Sequence, residues 1–175
     1  MKLIITGSVG TGKTSVARAI SKRLRIPLVE LSDADVPFVY NKKMKTREVK
    51  VKDLKKWIRK KTVGLKDYIV EGHLACELDF PADFVFVLRT NPEELTKRLI
   101  ARKYHKEKII ENIMAEALDY CSCALKQESN VFEIDTTGKT VGQGAKEILG
   151  FLKGRKKGKV ISWSSWLSHA VCPRD

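Results

Sequence analysis

Glycines followed by a lysine and a threonine near the start of the chain have the residue types and spacing that bind a phosphate chain. Gly7 to Thr14 reads Gly-Ser-Val-Gly-Thr-Gly-Lys-Thr and fits the pattern GxxxxGK[ST] without a mismatch. The segment follows a short apolar run, residues 2–6, and precedes apolar residues at helical spacing. Glycines let successive N–H groups point inward at phosphate oxygens, and the positive end of the next helix faces the same place. The pattern predicts a phosphate-binding loop (P-loop) for ATP.

Each polar residue of this loop has an expected role. Gly10 and Gly12 bend the backbone around the phosphates, and Lys13 is expected to reach the β- and γ-phosphates. The hydroxyl of Thr14 is expected to coordinate Mg²⁺, and Ser15 to donate to the α-phosphate. ATP and Mg²⁺ are therefore the predicted co-substrate and cofactor.

An acid and a histidine end the third predicted strand, at Val70-Glu71-Gly72-His73. Ionised carboxylates at the ends of parallel strands are rarely core residues, so we expect Glu71 to hold a water bound to Mg²⁺. His73 could orient a nucleophile or a phosphate. A purely structural histidine is the alternative, and the sequence leaves it open.

Two arginines four residues apart, Arg98 and Arg102, share one face of a predicted helix end. Phosphoryl transfer spreads negative charge over the transferred group, and arginines that close over this group stabilise the charge. We therefore expect a lid at about residues 101–111. A solvated basic helix face would have the same spacing, so both interpretations stay open.

Several classes of phosphate-loop protein do not fit the rest of the sequence. A GTPase would need NKxD after a strand, and Asn41-Lys-Lys-Met44 lacks the aspartate and lies in the wrong region. The chain, with 175 residues, is also short for a motor ATPase. A compact kinase remains, with a monophosphate-binding segment at about residues 30–50 and the arginine-bearing lid.

Composition limits the partners and the cellular compartment that we expect for the protein. The net charge is +13, which favours anionic partners such as nucleotides or RNA, although a solvated lysine-rich surface explains it equally well. Four cysteines form no CxxC pair and no zinc spacing, and with a nucleotide site this favours reduced thiols in a cytoplasm. The apolar runs are too short to span a membrane, and the initial strand leaves no room for a signal peptide.

Strand and helix patterns alternate along the chain. Strands are predicted at residues 2–6, 27–31, 67–71, 82–88 and 131–134, and helices at 13–25, 52–62, 92–102, 105–126 and 140–153. This alternation predicts a three-layer α/β fold of the P-loop NTPase type, with a five-stranded parallel sheet and helices on both faces. Residues 32–50 show no clean period and are rich in lysine, which favours a mobile basic segment.

Residues 1–153 are predicted to form the kinase domain and residues 154–175 a basic tail. The tail contains Trp163 and Trp166. We expect these rings to pack on the domain as an apolar patch, in preference to binding a partner.

Four segments together resemble the adenylate kinase isoenzyme 6 family, in particular its archaeal branch. They are ITGSVGTGKTSVA, IVEGHLA, FVFVLRTNPEELTKRLIARKYHKEKIIENIMAEALD and a weaker IDTTGKT. The resemblance covers about residues 1–153. It implies a P-loop kinase with a short lid, adenylate kinase activity with broad monophosphate tolerance, and ATPase activity. It also implies a role in maturation of small-subunit ribosomal RNA, bound to ribosomal protein uS11.

The resemblance also implies roles for particular residues. ATP contacts fall on Gly10, Gly12, Lys13, Thr14 and Ser15, as the loop pattern itself predicts. The remaining implied contacts are an ATP-binding lid arginine at Arg102 and a position near the adenine at Lys139.

This chain departs from the family at three places. The family motif Asp-x-His-Gly becomes Glu71-Gly-His73-Leu, the usual lid glycine is Lys103, and the usually acidic segment 32–50 is basic. Arg47 is only a guess for an AMP-binding arginine. Two functions follow: an enzyme that converts ATP and AMP into two ADP, or an ATP-hydrolysing ribosome assembly factor with little kinase activity.

Overall fold

Strands and helices alternate in the computed structural model, which describes residues 1–42, 46–125, 130–154 and 160–171. The strands are β1 (Lys2–Thr6), β2 (Leu28–Glu30), β3 (Phe38–Asn41), β4 (Thr46–Val49), β5 (Tyr68–Glu71), β6 (Phe84–Arg89) and β7 (Val131–Asp135). The helices are α1 (Lys13–Leu24), α2 (Val51–Thr62), α3 (Pro92–Ala101), α4 (Lys106–Ala117), α5 (Tyr120–Ala124), α6 (Val141–Leu152) and α7 (Ser164–Val171).

The main sheet has five parallel strands in the order β2-β5-β1-β6-β7. This confirms the predicted sheet, and each predicted strand lies within two residues of an observed one. β1 lies at the centre, and β5 separates it from β2, the next strand along the chain. Ligands of such sheets bind beyond the carboxyl ends of the strands, where the chain order reverses.

Alternate side chains of β1 supply two separate cores, one on each face of the sheet. Leu3 and Ile5 pack with α1 and α6, whereas Ile4 packs with α2 and α5. These three side chains are at most 2% exposed. Both faces of the central strand are therefore covered, which explains why it reads as a continuous apolar run.

Residues 32–50 are more regular than the sequence indicates. β3 and β4 pair as an antiparallel hairpin, with Phe38 opposite Val49 and Asn41 opposite Thr46. Phe38 and Tyr40 on one face of β3 are about half exposed, and Val39 on the other face is 67% exposed, so neither face is a buried apolar face. The period-two signal of a half-buried strand is therefore missing, which is why the sequence did not predict the hairpin. Residues 43–45 lie outside the described residues.

The single helix predicted over residues 105–126 is wrong. α4 ends at Ala117, and α5 starts at Tyr120 after Asp119, which has a left-handed backbone with φ 56°. The carboxylate of Asp119 pairs with the guanidinium of Arg89, and this contact holds the turn. The predicted lid contains the loop 102–105 and the first turns of α4; the predicted helix end at residue 126 lies outside the described residues.

The C-terminal tail contacts the domain. Trp163 is half-buried, and its indole N–H donates to Glu116 Oε1 at 3.1 Å. The backbone of Ile161 bonds to the side chains of Arg89 and Glu133. These contacts support packing of Trp163 against the rest of the protein. Residues 155–159 of the basic run lie outside the described residues. None of the helices in the described part of the chain has both the length and the apolar content that a bilayer crossing requires.

Candidate nucleotide-binding site

The P-loop joins β1 to α1, and its glycines are required by the geometry. Gly7 has φ 133° and Gly10 has φ 98°, which are values that other residues rarely adopt. A Cβ atom on Gly7 would meet Leu88 O at 2.3 Å, and one on Gly10 would meet Leu95 Cδ1 at 2.7 Å. Gly12, with φ 92°, caps the N-terminus of α1. The backbone therefore has the curved form that the motif predicts.

Lys13 is buried although it is charged. Its side chain is held by the loop itself, since Nζ donates to Ser8 O at 2.9 Å. Burial lowers the pKa of Lys13, and the nearby carboxylate of Glu71 opposes that change. The ammonium group lines the cavity beside the loop, where it can neutralise a phosphate.

Thr14 and Glu71 supply oxygen ligands at the same point. Thr14 Oγ1 donates to Glu71 Oε1 at 3.2 Å, and Glu71 is 3% exposed. Burial raises the pKa of Glu71, while Lys13 lowers it. A hydroxyl beside a carboxylate is a donor set of hard oxygens, so these two residues fit Mg²⁺ held directly by Thr14 and through water by Glu71.

His73 follows β5 at the opening of the site. Its backbone carbonyl accepts a hydrogen bond from Thr6 Oγ1 at 3.2 Å, which anchors the turn to β1. Removal from bulk water, together with the charge of Lys13, lowers the pKa of His73 to about 4, although the residue is exposed to the open cavity. The imidazole is therefore neutral near pH 7.

The main cavity has a volume of about 1260 Å³ and extends from the P-loop to the β3–β4 hairpin. Its far wall contains aromatic and apolar side chains, among them Phe38, Tyr40 and Val49. Arg47 lies on the same wall, and its guanidinium stands 4.6 Å from the centre of the Phe38 ring. Arg47 was only a guess for an AMP-binding arginine, and the structure places it in the wall of the main cavity.

A second cavity of about 290 Å³ lies on the other side of the loop, beside Thr140 and Val141. The two cavities share a small set of lining residues: Gly10, Gly12, Ser15 and Arg102. Arg102 is exposed at the end of α3. It therefore stands at the junction of the two cavities, and its role as a lid arginine stays a prediction.

Arg98 and Lys139 line the second cavity, but protein groups already hold their charged ends. Arg98 Nε contacts Glu94 Oε1 at 3.0 Å, and Nη2 donates to Thr136 O at 2.9 Å. Lys139 Nζ contacts Glu147 Oε2 at 2.8 Å. Among the described residues, Arg102 lines the main cavity, whereas Arg98 does not.

Sequence reasoning missed one supporting residue, Thr136. Its hydroxyl oxygen lies 2.9 Å from Thr11 O in the P-loop and 2.8 Å from Arg89 O at the end of β6. It is buried, and 125 positions separate it from Thr11. The sequence signals were its place two residues after the predicted strand 131–134, where side chains of a parallel sheet reach the ligand edge, and its position within IDTTGKT.

A five-stranded parallel sheet with a P-loop after its central strand and helices on both faces defines a P-loop kinase fold. Solved structures of other kinases are similar to this chain in fold. A gluconokinase from Sinorhizobium meliloti has a TM-score of 0.60 at 14% identity, over 87% of this chain and 91% of that chain. A deoxyadenosine kinase from M. mycoides with bound dATP has a TM-score of 0.57 at 19% identity, over 87% of this chain and 100% of that chain. These likenesses show the fold alone.

Relatives of higher identity identify the family. The profile of the AAA domain family matches residues 3–119. A relative from Methanocaldococcus jannaschii is 35% identical over 94% of this chain and 93% of its own length. One from Pyrococcus furiosus is 38% identical over 94% and 92%. Both are named "Putative adenylate kinase", and this chain belongs to their family.

Proposed function

We propose that this protein is an adenylate kinase-type phosphotransferase that converts ATP and AMP into two ADP and tolerates other nucleoside monophosphates. The observation that carries the proposal is the position of Arg102 where the two cavities meet. A kinase must hold a donor and an acceptor on opposite sides of the transferred group. Two cavities joined at the P-loop provide that arrangement, and the names of the relatives agree with it.

ATP is placed with its base in the smaller cavity and its triphosphate along the P-loop. Lys139 and Thr140 line the base side, and residues of both cavities from Gly10 to Ser15 line the path of the phosphates. Thr14 would hold Mg²⁺, with Glu71 acting through water. When bound, Mg²⁺ neutralises charge on the phosphate oxygens.

The monophosphate is placed in the main cavity, against the hairpin. Arg47 is the cation available there for its phosphate, and Phe38 and Tyr40 offer rings for its base. Ring stacking discriminates weakly between bases, because every base has a π-face. This wall therefore supports broad monophosphate tolerance.

The residues of this chain hold the two substrates in position and stabilise the charge on the transferred phosphoryl group. An acceptor oxygen in line with the γ-phosphate needs little more than correct placement. As charge spreads over the transferred group, Lys13 and Arg102 stabilise it from opposite sides. Arg98 is fixed beside the base cavity, and we expect it to support catalysis by holding the loop at Thr136. His73, neutral at pH 7, can donate a hydrogen bond to a phosphate.

The proposal is tested by measuring ADP formation with ATP and Mg²⁺ alone, and then with AMP added. AMP should increase the rate strongly, and Arg47→Ala should raise KM for AMP while leaving hydrolysis of ATP alone unchanged. If AMP has no effect, the protein is an ATPase rather than an adenylate kinase, and the second candidate below replaces the first.

The second candidate is an ATP-hydrolysing factor in small ribosomal subunit maturation, with ribosomal RNA and ribosomal protein uS11 as partners. The basic face of α2 favours it. This face carries exposed side chains of one sign: Lys52, Lys56, Arg59 and Lys60. A block of positive charge beside a nucleotide site suits a polyanion. The uS11 partnership and the ATPase activity rest on the family resemblance.

RNA binding is tested by the salt dependence of affinity for small-subunit ribosomal RNA. Replacing Lys56, Arg59 and Lys60 by Gln should reduce the slope by about 0.7 for each RNA phosphate that the variant no longer neutralises. Replacing Lys22, Arg23 and Arg25, which are exposed at the end of α1, by Gln is the matched control and should change the slope less. Neutralising the basic residues of 153–159 tests the tail in the same way. Absence of binding at low salt would reject the second candidate.

A further inference from the structure

Two buried thiols meet beneath the main cavity. Cys76 belongs to the 3₁₀ turn His73–Glu77 after β5, and Cys121 belongs to α5. They are 3% and 7% exposed, and their Sγ atoms are 3.3 Å apart. The two residues are 45 positions apart in the sequence, so only the fold brings them together. Both are free thiols in this structure.

The two sulfur atoms are close enough to be joined by a small movement. A disulfide bond is about 2.05 Å long, so the sulfurs need to approach by roughly 1 Å. α5 is a helix of five residues that follows the left-handed turn at Asp119. Such a short element can shift by this amount more easily than the strands of the sheet.

A small oxidant has a path to the pair, because Cys121 lines the main cavity. On the far side, Cys76 Sγ donates to the carbonyl of His73 at 3.2 Å. Cys76 is therefore held against Cys121 on the turn that carries His73. Cys123 is also on α5 but is exposed, and the structure gives it no thiol neighbour among the described residues.

We propose that Cys76 and Cys121 are a redox modification site, at which hydrogen peroxide forms a reversible intramolecular disulfide. One sulfur attacks a peroxide oxygen, the O–O bond breaks, and a sulfenic acid and one water form. The second sulfur then attacks the sulfenic sulfur, the S–O bond breaks, and a second water leaves with the remaining thiol proton. In total, two thiols are oxidised and one peroxide is reduced to two waters. A dithiol reductant reverses the reaction.

The disulfide would connect α5 directly to the turn after β5. A crosslink between residues far apart in sequence restricts the unfolded chain and so favours the folded state. The oxidised protein should therefore unfold at a higher temperature than the reduced protein. This inference does not depend on the proposed function, since both of its readouts are independent of catalysis.

The experiment uses the full chain with Cys123 and Cys172 replaced by Ser, so that the pair contains the only thiols. Stoichiometric peroxide should lower the intact mass by about 2 Da, and peptide mapping should join Cys76 to Cys121. The melting temperature should rise by about 5 °C or more, and dithiothreitol should return it to the starting value.

Replacing Cys76 or Cys121 by Ala in the same background is the control, and the mass loss should disappear in both. Because an alanine could weaken the core, peptide mapping of the parent variant decides the question independently. Addition of oxygen without loss of hydrogen would overturn the proposal. So would a loss of about 2 Da that peptide mapping does not assign to a Cys76–Cys121 crosslink.

Discussion

The hydroxyl of Thr14 lies 3.2 Å from the carboxylate of Glu71, although 57 positions separate the two residues. The contact exists because β1 and β5 are neighbours in the sheet, with Ile5 opposite Glu71. Both strands end at the same edge, so the start of α1 and the end of β5 deliver their oxygen atoms to one point. The order of the strands thus creates the candidate magnesium site.

Lys13→Ala should abolish ATP turnover and leave the fold intact. The ammonium group lies inside the loop, where it donates to Ser8 O, and we expect its main role to be the neutralisation of phosphate charge. We expect a loss of at least about 100-fold in kcat. Steady-state kinetics measures the loss, and circular dichroism checks the fold. Turnover near the normal rate in a folded variant would reject the P-loop assignment.

Arg102→Ala should lower the catalytic rate alone, whereas Arg98→Ala should also lower the melting temperature. Arg102 is exposed at the cavity junction, so its removal should lower kcat about 100-fold while ADP affinity and melting temperature change little. Arg98 is bonded to Thr136 O, so its removal should lower the melting temperature as well. Kinetics, calorimetry of ADP binding and thermal unfolding separate the two. Equal losses of rate and ADP affinity in Arg102→Ala would make it an ordinary binding contact.

Lys103→Gly should stabilise the protein and weaken the binding of AMP. Lys103 has φ 58° at the end of α3, where its N–H bonds to Ile100 O at 2.8 Å and the next N–H bonds to Leu99 O at 3.2 Å. Glycine is preferred at this position of the capping motif, and its introduction should add about 1 kcal/mol to the free energy of unfolding. Loss of a cation from the main cavity should raise KM for AMP about fivefold.

Arg25→Gly is the matched control for Lys103→Gly. Arg25 has the same backbone conformation, φ 57°, at the end of α1, and it lines neither described cavity. It should increase the free energy of unfolding, measured by urea denaturation, by a similar amount and leave KM for AMP unchanged. A change in KM in both variants would show that Lys103 has no special part in the site.

Glu116→Ala should destabilise the protein by about 3–5 kcal/mol. Arg89 is 1% exposed, and its Nε bonds to Glu116 Oε1 at 2.7 Å. Burial alone would lower the pKa of Arg89, but Glu116 and the other carboxylates raise it, so the guanidinium stays charged and needs its partner. Trp163→Phe removes the indole hydrogen bond and part of a half-buried ring, and should cost about 1 kcal/mol. Urea denaturation measures both, and equal small losses would contradict the assignment of a buried ion cluster.

Acid should weaken the fold through His73. Its pKa is about 4 in the folded protein and about 6.5 in the unfolded chain, so between these values the unfolded chain binds an extra proton. The free energy of unfolding must then fall as the pH drops from about 6.5 to about 4. His73→Gln should remove this part of the pH dependence, as shown by urea denaturation at several pH values. An imidazole that titrates near 6.5 by NMR would show that the cavity keeps it solvated.

The sequence alone predicted the P-loop and the strands of the main sheet. These features are local, because a phosphate loop needs particular residues at fixed spacing and a buried parallel strand is a short apolar run. The residues of Gly7 to Thr14 and the oxygen atom of Glu71 could therefore be assigned to one edge of the sheet before the structure was known. The hairpin and the break at Asp119 could not, since the first lacks a buried face and the second depends on an ion pair with Arg89.

Only the tertiary structure distinguished residues that look alike in sequence. Arg98 and Arg102 have the same type and share a helix end, but contacts with Glu94 and Thr136 fix the first, whereas the second remains exposed between the two cavities. The same holds for Cys121 and Cys123, of which only Cys121 faces Cys76. The physical reason is that these distinctions depend on partners far away in the sequence, which no local pattern of residues encodes.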